Sequence, residues 1–409
     1  MISKQELQSF SRELGIRLDV VEKDYVLGWL LAGINQHPVL GPKWVFKGGT
    51  CLKKCYFETY RFSEDLDFTV KEKAHFDVSF LKAALTEVTQ WVYDQSGIEF
   101  PPEAISYEIL SPRGGIAAQG KVGYRGPMGL RGSPPRIKLD LTGDEKLVMA
   151  PTKRSIHHPY SDAVAGEMEA LSYPFEEVFA EKTRALAERA RPRDLYDVVH
   201  LYRHKEAATY KGKILEVLKE KCTFKGIAIP TWDSMQNHPK RDELNNEWGN
   251  MLAHQLPMLP PLQQFWDELS LFFKWLYGVS EAPQLPVMST REAIDTDWTV
   301  PDRPILWNLS APIEKIRFAA ANRLCVELTY EDETGSVNRR LVEPYSLRRT
   351  KEGHIQLFLV KHDTQETRGY RLDRIREVNV SRISFQPKFV VEISEGGGLG
   401  SVPRLGRGR

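Results

Sequence analysis

Cysteine is scarce. The 409 residues hold four, at Cys51, Cys55, Cys222 and Cys325. That excludes a disulfide scaffold, and no Cys or His pairs show zinc-finger spacing. Cys51 and Cys55 lie one helical turn apart and read as small apolar residues of a buried face. Charge of one sign is also missing. Lys and Arg number 56 against 55 Asp and Glu, a formal net charge of +1. No global field draws the chain to nucleic acid, so any basic surface is local. No apolar run approaches the roughly 18 residues of a membrane span. The opening stretch, MISKQELQSFSREL, is polar and amphipathic, unlike a secretory signal. A cytoplasmic protein without a membrane partner is expected. With 41% apolar and 27% charged residues the composition is globular, and the length predicts two or three domains.

What is present concentrates in Trp44 to Thr69, WVFKGGTCLKKCYFETYRFSEDLDFT. Trp44-Val45-Phe46 is a short run of strand formers. Gly48-Gly49 gives a tight turn, and Thr50 opens a helix with Leu52 and Tyr56 on one face. Glu64 to Phe68 reads as a second strand. Residues two apart on a strand share a face, so Asp65 and Asp67 point one way and Leu66 and Phe68 the other. Two carboxylates on one face favour a cation between them. Mg²⁺ suits them, because it takes one or two carboxylates and completes its shell with phosphates and water. The Gly-Gly turn offers backbone N–H groups to those phosphates.

This stretch resembles the polymerase-β-type nucleotidyltransferases, with Gly-Gly, a spacer and Asp-x-Asp. More narrowly, the chain resembles the AbiEii toxins of type IV toxin–antitoxin and phage-defence systems. Four pieces carry that resemblance: Glu22-Lys23-Asp24-Tyr25, Phe46-Lys47-Gly48-Gly49-Thr50, Arg61-Phe62-Ser63-Glu64-Asp65-Leu66-Asp67, and Lys182 with Arg189, Arg193, Asp194 and Asp197. The resemblance implies an α+β fold with a nucleotidyltransferase core and a helical subdomain. It implies Asp65, Asp67, Lys182 and Asp194 as catalytic residues, and Gly48, Gly49, Thr50, Ser63 and Lys182 as nucleotide-binding. Asp194 would orient Lys182 or the acceptor. A third carboxylate on a later strand would join Asp65 and Asp67 at the metal. Asp140 fits that position, in the alternating strand Arg136–Thr142, although a half-exposed strand accounts for the same pattern.

Along the rest of the chain, residues 2–37 read as two helices. Glu22-Lys23-Asp24 suits a solvated, dipole-matched first turn, whereas the AbiEii resemblance implies that this motif packs near the active site. Phe80 to Tyr93 is an amphipathic helix and Ile105 to Leu110 a strand. Residues 111–135 are rich in Gly, Pro and Arg, as either a basic loop or a hairpin, with strand character at 121–124. Pro192 ends one helix and starts another. Residues 206–280 are helical, with a broad apolar stripe from Phe265 to Leu276. Expected boundaries are 1–170 for the core, 171–283 for the helical subdomain, 284–308 for a linker, 309–390 for a β-domain and 391–409 for a disordered tail.

The β-domain resembles the WYL domain, a small SH3- or Sm-like β-barrel. Glu343-Pro344-Tyr345, the run from Arg368 through Arg371, Asp373, Arg374 and Ile375, and Phe385-x-Pro387 carry the likeness. The namesake tripeptide is Leu357-Phe358-Leu359 here. From residue 313 onward basic residues outnumber acidic ones, so the remainder averages acidic. The resemblance implies a regulatory nucleotide or nucleic-acid ligand at Arg368, Arg371 and Arg374, positions that solvation explains equally well. For the whole chain it implies Mg²⁺-dependent transfer of NMP from an NTP to RNA, in particular the tRNA 3′ end, and a winged-helix antitoxin as partner. Two alternatives are nucleotidylation of a protein and a WYL-type ligand-responsive regulator with an inactive enzyme core.

Overall fold

The computed structural model describes residues 1–57, 60–111, 115–129, 132–164, 168–281, 284–289, 293–298 and 313–394. The tail expected to be disordered lies, from residue 395, outside the described residues, as does 299–312. Two units divide the chain. The first holds Met1–Arg12, Ile16–Ala190 and Tyr210–His238, and the second Glu13–Gly15, Arg191–Thr209 and Pro239–Arg409.

The first unit is built on a seven-stranded mixed sheet of order β3-β4-β5-β2-β1-β7-β6. Its strands are β1 (Trp44–Lys47), β2 (Asp65–Val70), β3 (Ile105–Leu110), β4 (Ala117–Gly123), β5 (Arg136–Thr142), β6 (Thr152–Ser155) and β7 (Glu169–Ser172). β2 is central. It runs antiparallel to β1 and parallel to β5. β3 and β4 pair as a hairpin, so the Gly-rich stretch is sheet at 117–123 and not a basic loop there. Alternation sets the burial: Leu66, Phe68, Ile137, Leu139 and Leu141 are buried, while Asp65, Asp67, Lys138 and Asp140 are half-exposed.

Helix α1 (Lys4–Leu14) starts at Ser3, whose hydroxyl accepts the Glu6 N–H at 3.1 Å. Helix α2 (Leu18–Gln36) packs against α4 (Val78–Ser96) and β7. The solvated first turn expected for α2 is not what forms. Glu22 is 2% and Asp24 4% exposed, and almost every residue from Val21 to Ile34 is buried. Their partners come from distant segments. Asp24 Oδ2 accepts from Lys54 Nζ at 2.7 Å and from the Tyr160 hydroxyl at 3.0 Å. Glu22 Oε1 accepts the Met128 N–H at 2.7 Å. Burial alone would raise the Asp24 pKa, but the ammonium groups of Lys54 and then Lys53 hold it below the usual carboxylate range. Because Lys54 is fully buried, Asp24→Ala strands a charge in the core. The expected loss is about 3–5 kcal/mol of unfolding free energy, read by urea denaturation.

Helix α3 (Gly48–Cys51) continues as one π-helical turn, Leu52–Tyr56. Cys51 is buried and Cys55 half-buried, and both are free thiols. Helix α5 (Phe175–Arg189) ends at Ala190, which takes the left-handed conformation at φ 45°. In the first unit, α5 is held to α7 (Glu206–Lys225) by a buried ion cluster. Lys221 Nζ lies 2.9 Å from Glu177 and 3.3 Å from Glu181. Glu177 also accepts the N–H groups of Val148 and Met149.

The second unit holds α6 (Pro192–Arg203), with Pro192 at the first helical position as its spacing predicts. α9 (Arg241–Leu252) and α10 (Leu262–Leu276) pack on α6, and α8 (Trp232–Gln236) belongs to the first unit. The Phe265–Leu276 stripe is core: Phe265, Leu269 and Phe272 are fully buried. After α11 (Ile313–Ala321) come five antiparallel strands: β8 (Leu324–Glu331), β9 (Val337–Arg349), β10 (Ile355–Lys361), β11 (Thr367–Arg371) and β12 (Ile375–Ser384). Their order is β11-β10-β9-β8-β12. This corrects the expected barrel. Among the described residues no ladder joins β11 to β12, so the sheet is open. Leu357-Phe358-Leu359 lies on β10, between β9 and β11, and all three residues are buried. Segments of 284–298 dock on β9: Arg349 grips Asp295, and Arg348 Nη1 donates to the Met288 carbonyl at 2.9 Å.

Candidate active site

Strand register aligns the charged residues. Lys47 on β1 faces Asp67 on β2, and Asp67 faces Asp140 on β5. Asp65 faces Lys138 in the same ladder. Partners directly across a ladder emerge on one side of the sheet, and positions two apart keep that side. Asp65, Asp67 and Asp140 therefore share a face with Lys47 and Lys138. Lys138 Nζ donates to Asp140 Oδ2 at 2.7 Å.

Asp67 is the electrostatic focus. Burial pushes its carboxyl up, to a pKa of about 6. Lys47 opposes the rise, Asp140 adds to it, Lys182 opposes it and Asp65 adds to it. Burial dominates the rise, and the two further carboxylates on the same sheet face add to it. All three groups offer oxygen, the ligand that hard divalent cations take, so the residues fit such an ion.

Gly48, the first residue of α3 and not part of a turn ahead of it as expected, presses against this carboxyl. Gly48 has φ +82°, and a Cβ there would stand 2.1 Å from Asp67 Oδ2. A Cβ on Gly49 would stand 2.5 Å from Arg61 Nη2 and 3.2 Å from Ser63 Oγ. The Thr50 hydroxyl donates to the Asp65 carbonyl, tying helix to strand. Gly48 and Thr50 thus touch the two aspartates, with Ser63 beside Gly49. Gly48→Ala should distort the site more than the fold. Left-handed strain costs about 1–2 kcal/mol, whereas displacing Asp67 should lower turnover by about a hundredfold. Parallel kcat and melting measurements separate the two effects.

Lys182 on α5 is 7% exposed and lies within electrostatic reach of Asp67. Its neighbour Glu181 is held well below the usual carboxylate range despite burial, chiefly by Lys221, then Arg184 and Lys47. Arg189, two turns on, is exposed. Asp194 sits fully buried in the first turn of α6, in the second unit. Lys23 Nζ pairs with Glu64 Oε2 at 2.8 Å, so α2 reaches the residue next to Asp65.

Two residues of the quoted motif pieces, Lys47 and Arg61, had no role assigned to them from the sequence. Lys47 ends an apolar strand, and register puts it opposite Asp67. Arg61 is 2% exposed and backs Gly49; its one signal was its place ahead of Phe62-Ser63.

In the second unit, each arginine of the expected ligand trio has a carboxylate partner. Arg368 pairs with Glu366 at 2.8 Å, Arg371 with Asp373 at 2.6 Å and Arg374 with Glu333 at 3.1 Å. Arg368 and Arg371 are three apart on β11 and so alternate in face. Arg371 and Arg374 adjoin Tyr330, whose ring stacks on Tyr370 with centroids 4.2 Å apart.

Among the described residues no helix is long and apolar enough to cross a membrane. A family model described as the nucleotidyl transferase AbiEii toxin of type IV toxin–antitoxin systems matches residues 29–270. A WYL domain model matches residues 312–380. Among solved structures, the chain is similar to MenT4, a nucleotidyltransferase toxin from Mycobacterium tuberculosis H37Rv. That likeness has 18% identity and a TM-score of 0.46, over 68% of this chain and 90% of that one. No curated protein matches the chain. Nucleotidyltransferases of this kind generally use a divalent metal. The first match spans more than half of the chain and contains the Gly-Gly pair, the three aspartates and Lys182. On that ground the chain belongs to the AbiEii nucleotidyltransferase toxin family, with a WYL domain behind its nucleotidyltransferase region.

Proposed function

We propose that this nucleotidyltransferase moves NMP from an NTP onto RNA, with the tRNA 3′ end as acceptor. The observation that carries the reading is the row Lys47, Asp67 and Asp140 across three strands, with Gly48 against Asp67. Asp65, Asp67 and Asp140 would hold Mg²⁺, which when bound supplies a Lewis acid at the reacting phosphate. Gly48 and Gly49 keep the backbone clear for the triphosphate, with the hydroxyls of Ser63 and Thr50 beside them. Lys182 offsets charge that builds on the leaving pyrophosphate, and Lys47, paired with Asp67 across the β1–β2 ladder, adds positive charge. Asp194, buried at the start of α6, is a catalytic residue by family likeness.

In the same reading the enzyme acts in the cytoplasm as a phage-defence toxin restrained by a winged-helix antitoxin. The arginines of the WYL domain bind a regulatory nucleotide or nucleic acid. We take 1–170 as core, 171–283 as helical subdomain, 284–308 as linker and 309–390 as the WYL region.

The test incubates the protein with each α-labelled NTP in turn, Mg²⁺ and total RNA. Label in RNA of tRNA size supports the reading. Label in protein would instead make the enzyme a protein nucleotidylating one, and no label with any NTP would leave the inactive-core regulator.

A further inference from the structure

We propose that Cys325, Glu343 and His362 form a site for a borderline divalent cation, zinc being the best fit. The three come from neighbouring strands of the WYL sheet: Cys325 on β8, Glu343 on β9 and His362 directly after β10. Their ligand atoms all lie within 4.8 Å of one another. Cys325 Sγ is 3.6 Å from His362 Nδ1. Zinc bonds of about 2.3 Å to sulfur and about 2.0 Å to nitrogen, at the tetrahedral angle, put those atoms about 3.5 Å apart. His362 Nδ1 is 3.0 Å from Glu343 Oε1, a hydrogen bond that would open by a few tenths of an ångström around an ion.

The surroundings are built to hold this geometry. Glu343 is 3% exposed, and its other oxygen accepts from the Tyr345 hydroxyl at 3.1 Å. That hydroxyl in turn accepts the Lys388 N–H at 3.2 Å. Outer partners of this kind fix the orientation of a metal-binding carboxylate. Cys325 is fully buried, whereas about a third of the His362 side chain is exposed. An ion enters on the His362 side, with a fourth position left for water. A thiolate and an imidazole select zinc over Mg²⁺, so this site and the aspartate site take different metals. Burial, with Glu343 adding to it, pushes the Cys325 thiol up to about 12. Local spacing could not reveal the trio, because strand pairing alone brings its members together.

The experiment strips the full-length protein with a chelator and titrates it with Co²⁺. We expect a thiolate-to-cobalt charge-transfer band at one equivalent, displaced by Zn²⁺ and not by Mg²⁺. Cys325→Ser removes the band, and His362→Gln weakens binding by about a hundredfold. Asp67→Asn keeps the band, which separates this site from the aspartates. Zn²⁺ raises the melting temperature of the wild type and of neither trio variant. No band at saturating Co²⁺ overturns the proposal, as does a band that survives Cys325→Ser. Should Cys325→Ser not fold, His362→Gln decides, since its side chain is part-exposed: wild-type affinity there overturns the proposal.

Discussion

Asp65→Asn and Asp67→Asn each lower nucleotidyl transfer by a factor on the order of 10³, with the fold intact. The fold survives because both side chains lie on the half-exposed face of β2, while Leu66 and Phe68 make the core contacts. Asp67→Asn carries a second signature. The folded-state pKa of about 6 stands above the ordinary 3.8. The folded protein therefore binds this proton more tightly than the unfolded chain does. Without metal, stability falls as pH rises from about 4 to about 6, and the deficit persists above that range. A shift of about two units sets an upper limit of about 3 kcal/mol, reduced by water on the exposed side. Asn removes the deficit. In EDTA at pH 7 the Asp67→Asn protein should resist urea better than wild type and lose the pH slope. Wild-type turnover in either variant would remove the carboxylates from the mechanism.

Lys182→Ala should lower kcat/KM for the NTP by about a hundredfold or more. The lysine is buried on a helix anchored through Glu177, Glu181 and Lys221, so it is held in place rather than searching in solvent. Lys182→Arg should restore only part of the loss. A guanidinium is planar and wider than an ammonium, and Lys182 is a buried side chain. Steady-state kinetics with varied NTP is the check. Normal turnover in Lys182→Ala would make this lysine a structural one.

Period-two alternation made β2 and β5 readable, and with them the shared face of Asp65 and Asp67. It could not pair the strands. Whether Asp140 stands beside Asp67 or at a solvated edge depends on register, which places it opposite Asp67. Lys47 joined the row for the same reason. Lys54, Tyr160 and Met128, the partners of the α2 acids, lie far along the chain, so no local pattern shows that these acids are buried. Arg61 resembles any loop arginine until Gly49 packs on it. In the WYL region the strands were visible as apolar runs, but closure depends on the edges β11 and β12, whose open ends no local pattern encodes.

In the function proposed above, the aspartate face transfers the nucleoside monophosphate of an NTP to RNA. Parallel reactions with α-labelled and γ-labelled NTP, Mg²⁺ and total RNA test it most directly, in wild type and Asp65→Asn. The account predicts α-label in RNA with wild type, none with Asp65→Asn, and all γ-label released as pyrophosphate. Incorporation of γ-label into RNA, or α-label undiminished in Asp65→Asn, would contradict it.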